Sequence, residues 1–166
     1  MISVSGFIAI LLTGGIGLLE LDVKWIAIKE AAVPLAIGLA IISSRYTRYP
    51  IVPNLALRLL NLDRINSLLC ASGQQDTFRR RLDRTSHMIA GSFCLSAGLN
   101  YILARFLVVS PAGTTRFNEE LGVMTALSVP VIVLPSMVVF LSAIIYLLRG
   151  IRAQTGLDYN EIIKPR

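Results

Sequence analysis

Residues 121–148 read LGVMTALSVPVIVLPSMVVFLSAIIYLL, without a single Asp, Glu, Lys or Arg. At a helical rise of about 1.5 Å per residue the stretch extends about 42 Å, more than the roughly 30 Å of a bilayer's hydrocarbon layer. A run this long and this apolar is the signature of a membrane span. Residues 1–19, 31–44 and 87–104 are equally free of these four residue types. Across all 166 residues only 16% are charged, where a soluble domain carries about 25%. The expected fold class is therefore all-α: a polytopic membrane protein of four transmembrane helices with an amphipathic helical loop on the cytoplasmic side. This composition excludes disorder, a collagen-like chain and a disulfide scaffold.

Basic residues set the orientation of such a chain. The connection between the second and third runs holds Arg45, Arg48, Arg58, Arg64, Arg79, Arg80, Arg81 and Arg84, and the tail holds Arg149, Arg152, Lys164 and Arg166. That is 8 + 4 = 12 on one side, against Lys24, Lys29, Arg105 and Arg116 on the other. The net charge of +6 is thus read as a topology signal and not as a nucleic-acid interface. Both termini are expected in the cytoplasm of a bacterial cell, with the chain in its inner membrane. The organisation read from the sequence is one membrane domain: a helical hairpin over 1–45, a basic cytoplasmic loop over 46–86, a second hairpin over 87–148 and a tail over 149–166.

Small residues mark where spans are expected to pack. Ala32, Ala36, Ala40 and Ser44 recur every four residues in the second span. The third carries two rows, Ala90, Cys94, Gly98 and Ser92, Ser96, Asn100, Ala104, which suits an interior helix. Pro34, Pro130 and Pro135 leave the carbonyls of Glu30, Ala126 and Val131 without their helical donors, giving either structural kinks or hinges. In the loop, Leu55, Leu59, Leu60 and Leu62 have helical spacing, Gly73 breaks it, and a second short helix is expected to run through Phe78 into Arg79-Arg80-Arg81. The pair is read as an amphipathic hairpin at headgroup level. Beyond the lipid bilayer itself, anionic lipid is a candidate partner for Arg79, Arg80, Arg81 and Arg84, whose alternative role is orientation alone.

No phosphate-binding glycine loop, esterase elbow or zinc-protease helix is present, so the sequence supports no catalytic, cofactor-binding or metal-ligating residue. Cys70, Cys94 and His87 stand too far apart in the sequence to suggest a disulfide or zinc framework. The polar residues that stand out are Glu20, Asp22, Lys24, Lys29, Glu30, Asn100, Arg105, Asn118, Glu119 and Glu120, gathered at the outer ends of the spans. They form either a polar pocket, with Glu30 or Glu119 holding a proton or cation, or a set of ion pairs that orders the helix ends. Asn100, an amide in an apolar helix, is expected to hydrogen-bond a neighbouring helix. His87 reads as an interfacial residue beside Arg84. The first apolar run follows Met1 with no basic residue before it, which reads as an internal start within a longer parent.

The stretches Thr13-Gly14-Gly15-Ile16-Gly17-Leu18-Leu19-Glu20-Leu21-Asp22, Lys24-Trp25, Lys29-Glu30-Ala31, Ser96-Ala97-Gly98-Leu99-Asn100-Tyr101, Ser110-Pro111-Ala112-Gly113-Thr114, Phe117-Asn118-Glu119-Glu120-Leu121-Gly122 and Met124-Thr125-Ala126-Leu127-Ser128 resemble a family of bacterial inner-membrane proteins of uncharacterised function. More distantly, Asp22, Lys24-Trp25, Leu99-Asn100 and Thr125-Ala126-Leu127 resemble the intracellular septation protein A family. The chain departs from that family in its longer basic loop and in lacking the leading helices. The resemblance implies an envelope-maintenance or septation role with no catalytic residues. The function expected is a structural or interaction component of the bacterial envelope, paired with itself or another membrane protein. The alternative is a small transporter or channel subunit built on the outer polar residues.

Overall fold

Runs of Leu, Ile, Val and Ala form helices in an apolar solvent because every backbone N–H and C=O must be satisfied within the segment. A computed structural model describes residues 23–48 and 50–163, and the first apolar run expected as a span lies outside them. The described residues form seven α-helices: α1 (Val23–Ser44), α2 (Ile51–Leu59), α3 (Leu62–Ser72), α4 (Gln75–Leu107), α5 (Thr115–Ser128), α6 (Leu134–Thr155) and α7 (Tyr159–Ile162). A π-helical turn, Val129–Val133, joins α5 to α6. Three helical stretches are long and apolar enough to cross a membrane: Trp25–Ser44, Gln75–Leu107 and the continuous Thr115–Thr155. Only 17%, 22% and 17% of their most apolar windows are buried inside the protein, so most of their surface is left for hydrocarbon or a partner.

Two of these helices start or end well beyond the apolar runs. The helix expected from residue 87 starts at Gln75, so the arginines of residues 79–84 stand on the same rod as the span rather than in a separate loop helix. No breaker separates Phe78 from His87, and a helix already nucleated in lipid propagates at little cost through Arg, Leu and Asp. The last span, expected over 28 residues, lies within 41 continuous helical residues. Its two prolines are absorbed by the π-turn between them: Leu134 donates its N–H to Val129 O, one residue further back than in an α-helix. The wider turn relieves the crowding that a proline ring imposes on the carbonyl four residues earlier.

The long α4 is the central helix, with α1 packed along one side and α6 along another. The small-residue row of α4 permits this at Ala90 and Cys94, which meet α1 at Gly38. A Cβ on Gly38 would lie 3.2 Å from Ala90 O and 3.2 Å from the Cys94 sulfur. The α1 row expected as a seam behaves differently. Ala32, Ala36 and Ala40 are exposed, because α1 turns Ala27, Gly38 and Ile41 toward its neighbours instead.

At the arginine-rich end the connections fold into a cap. Ala56, Leu60, Ile65, Leu69, Phe78, Leu147, Ile151, Leu157 and Ile162 form one buried cluster drawn from the α2–α3 hairpin, the first turns of α4, the end of α6, and α7. The tail beyond α6 is part of it. Gly156, at φ 71°, ends α6 and reverses the chain, its N–H bonded to Arg152 O at 2.8 Å. Asn61 N–H then donates to Ile162 O at 2.9 Å, and Leu60 and Ile163 form an antiparallel bridge.

Candidate functional site

The outer polar residues come first, since the sequence singles them out. Glu20 and Asp22 lie outside the described residues, as does the side chain of Lys24. Lys29 and Glu30 are half-buried on α1, whereas Arg105, Asn118 and Glu119 are exposed. Asn100 is half-buried, but it bonds within its own helix: Nδ2 donates to Ser96 O at 2.9 Å and lies 3.5 Å from Ser96 Oγ. The expected bond to another helix is replaced by the carbonyl one turn back, which is always within reach of such a side chain.

Glu120 has a defined task. Its Oε2 accepts from Val109 N and Ser110 N, each at 2.9 Å, its Oε1 accepts from Ser110 Oγ at 2.7 Å, and Arg116 Nε stands 3.6 Å from Oε1. One carboxylate thereby satisfies the amides released where α4 ends, while Thr114 caps α5 by accepting from Phe117 N at 3.2 Å. Glu120 is thus a clamp on the α4–α5 turn. None of the seven described side chains lines any of the three cavities considered below.

Among the described residues no group of three or more His, Cys, Asp or Glu could hold a metal ion. Cys70 is exposed and Cys94 half-buried, both as free thiols. His87 faces Arg45 rather than Arg84. Its Nδ1 lies 2.8 Å from Asp83 O and 3.1 Å from Arg45 Nη1, which also contacts Nε2. Arg45 also reaches Asp83 Oδ2 at 3.4 Å, tying the end of α1 to α4.

Among the described residues, two open regions lie toward the capped end. An apolar groove of about 590 Å³ runs between α1, α2, α4 and α6, walled by Ile37, Ile41, Leu55, Leu59, Phe93 and Phe140. On another face of the α4–α6 pair lie two adjoining clefts. One, of about 220 Å³, is lined by Thr77, Arg80, Arg81, Arg84 and Tyr146. The other, of about 460 Å³, is lined by Arg81, Ser142, Ile145, Tyr146 and Arg149. Positions 77, 80, 81 and 84 fall at i, i+3, i+4 and i+7, one face of a helix, and Arg79 falls outside that face.

Arg81 is the most constrained of these arginines. Its guanidinium carbon lies 5.0 Å from the Tyr146 ring centroid, and Nη1 donates to Tyr146 O at 3.4 Å. Its side chain crosses α6 over Gly150, where a Cβ would overlap it. The Nε of Arg81 is buried with no hydrogen-bond partner. Sequence reasoning found Arg80, Arg81 and Arg84 but missed Tyr146, Arg149 and Gly150. A signal for Arg149 was available: at the capped end, Arg84 and Arg149 are the charged residues nearest the charge-free stretches of two adjacent spans. Comparison of the chain with protein-family models, curated proteins and solved structures finds no match.

Proposed function

We propose that this chain is a multi-pass protein of the bacterial inner membrane that acts as a structural or interaction component of the envelope. It binds a second copy of itself or another membrane protein through the outer face of α1 and makes or breaks no covalent bond. The observation that carries this reading is the exposed row Ala32, Ala36, Ala40. Small residues at four-residue spacing let a second helix approach closely in lipid, and α1 does not use them against α4. The charge asymmetry of 12 basic residues against 4 supports an orientation with the cap, and both termini, in the cytoplasm. A septation role is supported by sequence resemblance alone.

In-membrane crosslinking tests the reading. With Cys70 and Cys94 replaced by Ser, Ala36→Cys is expected to yield a crosslinked dimer or heteromeric adduct in native membranes, while the control Pro34→Cys, on the half-buried side of α1, yields much less. Recovery of monomer alone at position 36 overturns it.

A further inference from the structure

The arginine clefts carry a proposal of their own, on a different face from the one just described. Arg80, Arg84 and Arg149 are exposed and form no ion pair among the described residues. The acids on α4 do not serve them: Asp76 and Asp83 line neither cleft, and Asp83 is held by Arg45. Arg80, Arg81 and Arg84 thus line one cleft and Arg81 and Arg149 the other, with no carboxylate lining either. A like-charged cluster of this kind is stabilised by an anion, and the planar fork of Arg suits phosphate oxygens.

The site is also built rather than merely charged. Gly150 is a poor helix former placed inside α6. There the backbone offers Arg81 a track, and Tyr146 holds the guanidinium from above with ring and carbonyl. The position along the helices identifies the ligand. The charge-free stretches end at residue 87 on α4 and at residue 148 on α6, so Arg84 and Arg149 stand where hydrocarbon gives way to headgroups. From Arg149 the larger cleft continues along α6 past Tyr146 to Ile145 and Ser142, back inside the charge-free stretch. A ligand that fits has a phosphate at one end and an apolar extension at the other.

We propose that Arg80, Arg81, Arg84 and Arg149, with Arg81 positioned by Tyr146 and Gly150, bind the phosphate of an anionic phospholipid whose acyl chain lies along α6 beside Ile145. The site is distinct from the α1 face, so failure of either proposal leaves the other standing.

Native mass spectrometry of the full chain in maltoside micelles tests it, with phosphatidylglycerol, phosphatidylcholine and inorganic phosphate as separate probes. Phosphatidylglycerol is expected to bind at least tenfold more tightly than phosphatidylcholine. Each cleft arginine contributes about fivefold, so R84Q with R149Q weakens phosphatidylglycerol binding about 25-fold. R79Q removes the same charge off the face and leaves affinity at the wild-type value. Gly150→Ala removes no charge but displaces Arg81, and is expected to weaken binding about as much as losing one arginine. If Gly150→Ala does not fold, the glutamine variants decide alone. Equal losses in R79Q and R84Q, no preference for the anionic lipid, or an unchanged double variant overturns the site. Displacement of the lipid by millimolar inorganic phosphate overturns its assignment to a lipid.

Discussion

The two ends of the helix bundle are closed by different physics. At the arginine-rich end, nine buried side chains from five helices and the connections between them form a cap, and a bridge between Leu60 and Ile163 stitches the tail to the α2–α3 joint. At the other end, the turn of residues 108–114 buries Val108 in a smaller apolar cluster and is tied by the carboxylate of Glu120 and the hydroxyl of Thr114. The cap lies beyond the charge-free stretches and carries exposed arginines, and where water surrounds such a segment, burying apolar surface is favourable. The outer turn adds directional hydrogen bonds to a smaller buried cluster of Ala27, Leu103, Ala104, Val108, Met124 and Ile132. In between, where the solvent is itself apolar, packing depends on close approach at Gly38, Ala90 and Cys94.

This contrast predicts a ranking of mutational effects. Ile65→Ala deletes a fully buried side chain from the middle of the cap. It is expected to cost about 2–5 kcal/mol, read as faster proteolysis of residues 61–75 in the purified chain under conditions where the spans stay intact. Protection equal to wild type would show that the cap is not a cooperative core. Glu120→Gln comes next. Its amide can still accept, but its NH₂ is placed against donors that the carboxylate now satisfies, so Val109 and Ser110 amides are expected to exchange faster with deuterium. Unchanged exchange at those two amides would mean that the turn holds without its clamp. The smallest effect is expected from Arg64→Gln, which removes the 2.9 Å pair with Glu161 between side chains that are 54% and 40% exposed. Such a pair contributes about 0.2–1 kcal/mol, and the difference from wild type should vanish in high salt.

The comparison also separates what could be read in advance from what could not. Three described spans fall where charge is absent, because the cost of placing a charge in hydrocarbon leaves a plain mark on composition. Both α1 and α6 pack on α4, whose two rows of small residues are used in part: Ala90, Ser92 and Ala104 are buried, while Gly98 is exposed. Helix ends were less legible. The start of α4 at Gln75 was hidden because the charge-free run, not the helix, begins at residue 87, and nothing in the residues between them interrupts a helix. Pro130 and Pro135 announced a disturbance, but not that a π-turn would carry the helix through it. The outer polar residues were conspicuous in sequence for their rarity, yet rarity says nothing of convergence: Glu120 holds a turn, and Asn100 bonds its own helix.

What the amino-acid order determined by itself was therefore the solvent of each segment: hydrocarbon for the charge-free runs, water for the arginine-rich connection and tail. These are local properties, settled by transfer energies that each residue carries with it wherever the chain goes. Only the tertiary structure decided which faces meet. It chose Gly38 rather than the Ala32–Ala36–Ala40 row to touch α4, folded the tail onto the α2–α3 hairpin, and brought Arg149 and Tyr146 of α6 beside Arg81 of α4. Those contacts join residues up to 103 positions apart, from Leu60 to Ile163 (163 − 60 = 103). They depend on the relative rotation of whole helices, a quantity set by the sum of all their contacts and written in no single stretch of the chain.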